Sequence, residues 1–96
     1  MLVGRVCTQP ETRHSPAGIP LTRFSLEHVS RRPQAGRARE VRCRVRVLAA
    51  GEELRGALQG LQPDTPVRIE GFLAGAGYRA SEHSLILNAE RIERLA

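Results

Sequence analysis

Seven arginines fall between residues 31 and 46: Arg31, Arg32, Arg37, Arg39, Arg42, Arg44 and Arg46. One acid, Glu40, shares that window, which therefore carries a net charge of +6, while the remaining residues sum to −1. The chain as a whole is +5 and contains no lysine. A uniform preference for arginine over lysine reflects a GC-rich genome, so placement says more than number. Positive charge concentrated in one sixth of a chain is the footprint of a polyanionic partner, nucleic acid foremost. A solvated basic loop with no partner is the plainer reading of the same charges.

Other chemistry is sparse. His14, His28 and His83 fall on separate segments without the spacing of metal ligands. Cys7 and Cys43 are too far apart for a metal motif and too few for a disulfide scaffold, so reduced thiols in a cytoplasmic protein are expected. No Ser/His/Asp grouping and no phosphate-binding Gly-rich loop is legible, so no enzyme and no cofactor are expected. The longest apolar run, residues 47 to 50, is far too short to span a membrane, and no signal peptide opens the chain.

The arginines need elements to hold them. Ninety-six residues with 41% hydrophobic and 26% charged side chains suit one globular domain over residues 1–96. Leu2 to Thr8 reads as a short first strand, and Gln9 to Pro20, with Pro10, Pro16, Gly18 and Pro20, reads as a loop. A second strand follows at Leu21 to Val29, with Phe24, Leu26 and His28 on one parity and Arg23, Ser25 and Glu27 on the other. Ser30 to Ala38 reads as a long, mobile, basic loop. From Arg39 to Val47 the alternation is clearest: Val41, Cys43, Val45 and Val47 point inward, and Arg42, Arg44 and Arg46 share the other face. Three arginines two residues apart repel one another unless something neutralises them, which favours an anion-binding surface.

Glu52 to Leu61 changes period. Leu54, Ala57, Leu58 and Leu61 form one helical face, opened by two glutamates that suit a helix N-terminus. Val67, Ile69 and Leu73 mark a fourth strand with a bulge or bend at Gly71. Gly75 to Ser84 reads as a hairpin loop, and Leu85 to Glu93 as a fifth strand. The result is an all-β chain with five strands and a short helix between the third and fourth, the order of the OB-fold barrel. That fold binds oligonucleotides on its strand 2–3 face, which is where the arginines fall.

The run Ser15-Pro16-Ala17-Gly18-Ile19-Pro20, followed by Phe24-Ser25-Leu26-Glu27-His28, resembles the primosomal replication protein N (PriB) family. Gly71-Phe72 and the closing Leu87-Asn88-Ala89-Glu90-Arg91-Ile92-Glu93 are similar to it as well. The resemblance implies an OB-fold homodimer without catalytic activity that binds single-stranded DNA. It also implies work with the restart helicase PriA and with DnaT, at the nucleoid. By position it places Arg13 and Arg39 near the DNA, and Arg79 where the strand 4–5 loop carries a lysine. It also sets the first strand at the dimer contact. The family's stacking tryptophan in the third strand is Arg42 here, a phenylalanine in the preceding loop is Arg37, and two loop lysines are Gly77 and Ser84.

Single-strand binders stack bases on aromatic rings, and this chain has three: Phe24, Phe72 and Tyr78. Phe24 has core parity, Phe72 suits either side, and Tyr78, flanked by Arg79 in a Gly-rich loop, is the stacking candidate. The expected nucleic-acid site is therefore Arg13, Arg37, Arg39, Arg42, Arg44, Arg46, Tyr78 and Arg79, leaning on phosphate charge. A protein-interaction adaptor that turns the same arginines toward acidic partners is the alternative.

Overall fold

A computed structural model describes residues 1–75 and 85–95. Six strands are present: β1 (Leu2–Val6), β2 (Glu11–His14), β3 (Pro20–Gln34), β4 (Arg37–Ala50), β5 (Pro66–Gly75) and β6 (Leu85–Arg94). Between β4 and β5 a 3-10 turn (Glu52–Leu54) runs into the one-turn helix α1 (Arg55–Leu58). The strands pair in the order β1-β5-β6-β4-β3-β2, and β1 pairs also with β3. The second pairing closes a ring of five strands, and β2 lies outside it on β3. β1 and β2 are thus two parts of one interrupted first strand, and the barrel is the five-stranded OB-fold with its helix in the expected place.

Closure brings the alternating apolar residues together. Val6, Leu26, Val67 and Ile69 are fully buried, joined by Phe24, Val47, Ala49, Leu87 and Ile92. Leu54 and Leu61 from the helical segment enter the same core, with Ala57 and Leu58 packed against it. Arg94 ties this segment to β6 by donating to the carbonyls of Ala57 and Gln59. Those carbonyls lie at the helix end, where intrahelical partners run out.

Two close approaches require glycine. A Cβ on Gly4 would collide with the Glu27 carbonyl oxygen, where β1 crosses onto β3. A Cβ on Gly71 would collide with the Asn88 carbonyl oxygen. The β5–β6 register shifts between Glu70 and Gly71, the bulge that the sequence marks there.

Three expectations are corrected. Residues 9–20 are not one loop, because Glu11–His14 pairs with Pro20–Arg23. Of the prolines that argued for a loop, Pro10 precedes this strand, Pro16 sits in its turn and Pro20 opens β3 opposite His14. Residues 30–38 are not a loop either: β3 and β4 stay paired out to Gln34 and Arg37 around a turn at Ala35 and Gly36. Both turn residues have positive φ, 52° and 76°, which matches the twist of a two-residue hairpin. Finally, alternation in β4 is as expected but burial is not. Val47 is buried and Val45 half-buried, whereas Val41 and Cys43 are exposed. β6 covers β4 only from Arg46 to Leu48, and β1 pairs with β3 only at Leu26 and Glu27, so the rest of the ribbon projects past the barrel.

Candidate nucleic-acid interface

Directly opposed residues of an antiparallel pair project to the same side. Since Phe24, Leu26, Val47 and Ala49 point into the core, their neighbours along β3 and β4 cover the outside. Across that face the register sets Leu21 against Ala50, Arg23 against Leu48, Ser25 against Arg46, Glu27 against Arg44, Val29 against Arg42, and Arg31 against Glu40. β2 extends it, with Arg13 opposite Leu21 and Glu11 opposite Arg23. Arg13, Arg23, Arg31, Arg42, Arg44 and Arg46 are all exposed on one continuous surface. Arg42, Arg44 and Arg46 share a face, as their spacing requires.

The face is not free of acid. Glu40 accepts a hydrogen bond from the Arg42 guanidinium at 2.9 Å, which holds Arg42 above its ordinary pKa. Glu27 lies 3.9 Å from both Arg42 and Arg44. The repulsion expected between successive arginines is therefore relieved within the protein itself. Glu27 belongs to the neighbouring strand, so no count along β4 could reveal it. Arg23 and Arg46 form no ion pair among the described residues, although Glu11 stands across from Arg23.

Between those two arginines lies a surface cavity of about 390 Å³, lined by Thr8, Ser25, Leu48 and Ile86 as well as by Arg23 and Arg46. Ile86 reaches it because β6 runs parallel to β4 with Ile86 beside Arg46. The Thr8 hydroxyl accepts the Ser25 backbone N–H at 2.9 Å, which fixes the chain at the break between β1 and β2.

Arg37 is exposed at the tip of the ribbon, its backbone paired with Gln34. The backbone of Arg39 pairs with that of Arg32. Tyr78 and Arg79 lie outside the described residues, as does His83. Phe24 is core, 4% exposed, whereas Phe72 is 55% exposed. His28 is a structural tie: its Nδ1–H donates to the Val3 carbonyl at 2.7 Å, and its Nε2 lies 3.1 Å from the Ser30 hydroxyl. Among the described residues no cluster of His, Cys, Asp or Glu is placed to hold a metal ion. Arg23 was not among the expected contacts, because it lies outside the dense window. Its parity, opposite to Phe24 and shared with Ser25 and Glu27, is the signal that places it on this surface.

Residues 1–91 match the model of a family described as "another single-strand binding protein family". The replication restart protein PriB of Serratia proteamaculans is 36% identical over 96% of this chain and 88% of its own length. Among solved structures, PriB from Ralstonia solanacearum superposes with a TM-score of 0.79 at 26% identity, covering 97% of this chain and 92% of that one. The dimeric N-terminal domain of PriB from Thermoanaerobacter tencongensis has a TM-score of 0.71 at 25% identity, covering 99% and 92%. The single-stranded DNA binding protein of Thermus aquaticus shares the fold, with a TM-score of 0.79 at 21% identity, 98% of this chain matching 48% of that one. By its sequence and its closed OB-fold barrel alike, this chain belongs to the single-strand binding protein family and, within these relatives, to the PriB replication restart proteins.

Proposed function

We propose that this protein binds single-stranded DNA on the outer face of β3 and β4 and serves replication restart as a non-catalytic component. The observation that carries this reading is the surface of six exposed arginines spread over three neighbouring strands. Arginines on a sheet face bind phosphate irrespective of base, which suits a partner of any sequence. Arg13, Arg42, Arg44 and Arg46 supply the charge on that face, Arg37 and Arg39 add charge from the far end of the β3–β4 ribbon at the opposite parity of β4, and Tyr78 with Arg79 extend the contact from the segment between β5 and β6. One OB-fold domain over residues 1–96 does this work, in the cytoplasm at the nucleoid. No helix among the described residues is long and apolar enough to cross a membrane.

The functional unit of this reading is a homodimer. An apolar groove beside β1, about 390 Å³ and lined by Met1, Leu2, Val45, Leu73 and Leu87, offers a second copy a surface to cover. The dimeric PriB relative supports the same assembly.

A second reading has its own support. Glu27 and Glu40 already engage Arg42 and Arg44, and Arg42 and Arg37 stand where the family carries aromatics. A face so altered suits an adaptor that meets acidic surfaces of the restart helicase PriA or of DnaT. Titration of labelled single-stranded and duplex oligonucleotides at several salt concentrations separates the two. Three to five phosphate contacts give a slope of log K against log salt of roughly −2 to −3.5. Duplex binding as strong as single-strand binding overturns the first reading, and no binding to either favours the adaptor.

A further inference from the structure

We infer that the cleft between Arg23 and Arg46 is a nucleotide subsite, phosphate held by the two guanidiniums and base laid on Leu48 and Ile86. It rests on the single-strand reading above and states where on the face the strand is held most tightly.

Four observations converge on the cleft. First, Arg23 and Arg46 are diagonal neighbours, Arg46 being opposite Ser25 and Arg23 two residues along. Diagonal positions have Cα atoms roughly 7–8 Å apart, so the two long side chains can close on one phosphate. Second, neither is engaged by a carboxylate among the described residues, whereas Arg42 and Arg44 share Glu27, and Arg42 also holds Glu40. A phosphate arriving at Arg42 or Arg44 must displace an ion-paired carboxylate, whereas the acid nearest the cleft, Glu11 across from Arg23, forms no ion pair with it.

Third, the floor is apolar where the rim is charged. Leu48 and Ile86 are half-buried and flank the arginines on adjacent strands. A base laid there removes apolar surface from water, and a guanidinium plane can cover its other side. The subsite thus supplies base contact in a chain whose β4 carries no aromatic ring. Fourth, the Thr8 hydroxyl at the rim already accepts one backbone N–H and retains its own proton for a phosphate oxygen. A volume of about 390 Å³ is at the small end for ligand sites, the size of one mononucleotide unit rather than several.

The test compares two double variants of equal charge, R23A/R46A and R42A/R44A, by fluorescence anisotropy with a labelled oligothymidylate. All four arginines are exposed, so circular dichroism should match the wild type in both. The proposal expects R23A/R46A to lose about threefold more affinity than R42A/R44A, since exposed ion pairs with surface carboxylates discount the latter pair on that scale. Equal losses, or a greater loss in R42A/R44A, overturn the subsite while leaving single-strand binding intact. Failure of the wild-type chain to bind overturns the single-strand reading itself and the subsite with it. A second arm uses an abasic oligonucleotide of the same length. Wild type should prefer thymidylate over abasic strand, and L48A should reduce that preference without changing abasic binding. Equal preference in both proteins removes the base from the cleft.

Discussion

Glu27 stands directly opposite Arg44 across β3 and β4, and its carboxylate lies 3.9 Å from both the Arg44 Nε and the Arg42 Nη1. One acid thus occupies the middle of a basic face and holds two of its arginines. The pairs are exposed and contribute little to stability. Their consequence is for binding, because an incoming phosphate must displace the carboxylate.

Removing that competitor should strengthen binding. E27Q is expected to raise affinity for single-stranded oligonucleotide by roughly two- to fivefold at low salt, the scale of an exposed ion pair. The salt dependence should steepen as Arg42 and Arg44 take up phosphate, by up to about 0.7 for each further phosphate neutralised. Anisotropy titrations at two salt concentrations check this. Unchanged affinity would mean that the strand does not reach Arg42 and Arg44.

The glycines separate by what surrounds them. G4A and G71A each set a methyl against a backbone carbonyl, and should destabilise the fold by roughly 2 to 4 kcal/mol. Gly56 lies in α1 with nothing near its Cβ direction, so G56A should stabilise by about 0.5–1 kcal/mol. Urea unfolding of the three variants gives the ranking.

The two thiols should react in order. Cys43 is exposed, whereas Cys7 is half-buried and burial raises its thiol pKa, partly offset by Arg44. A raised pKa leaves less thiolate at pH 8, and the thiolate is the nucleophile. A disulfide reagent followed by absorbance should therefore show a fast phase from Cys43 and a slower one from Cys7. C43S should abolish the fast phase alone.

Assembly has a direct readout. Light scattering behind a sizing column should give twice the chain mass of 10.6 kDa. Leu73 is 60% exposed in the groove beside β1, and L73E, which sets a charge in an apolar contact, should shift the species toward monomer. A wild-type monomer at tens of micromolar removes the dimer.

The parity of β3 and β4 was legible in the chain itself. Residues two apart lie on one side of a strand, so Phe24 and Leu26 had to separate from Arg23, Ser25 and Glu27, and Val45 and Val47 from Arg44 and Arg46. The apolar set Leu54, Ala57, Leu58 and Leu61 does pack on the core, although α1 ends at Leu58 and Leu61 follows the turn at Gly60; the bulge at Gly71 was marked by the glycine itself. What lies across a strand pair was not legible. The carboxylate of Glu27 meets Arg42 and Arg44 because of register, and the Arg23–Arg46 cleft exists only because β6 runs parallel to β4 and brings Ile86 alongside. Nor does alternation say where a sheet stops being covered. Val41 and Cys43 have core parity but no core, since the ribbon outruns its neighbouring strands. Side-chain direction is a property of the local backbone, whereas burial and ion pairing depend on which distant segment packs against it, and that is decided only when the barrel closes.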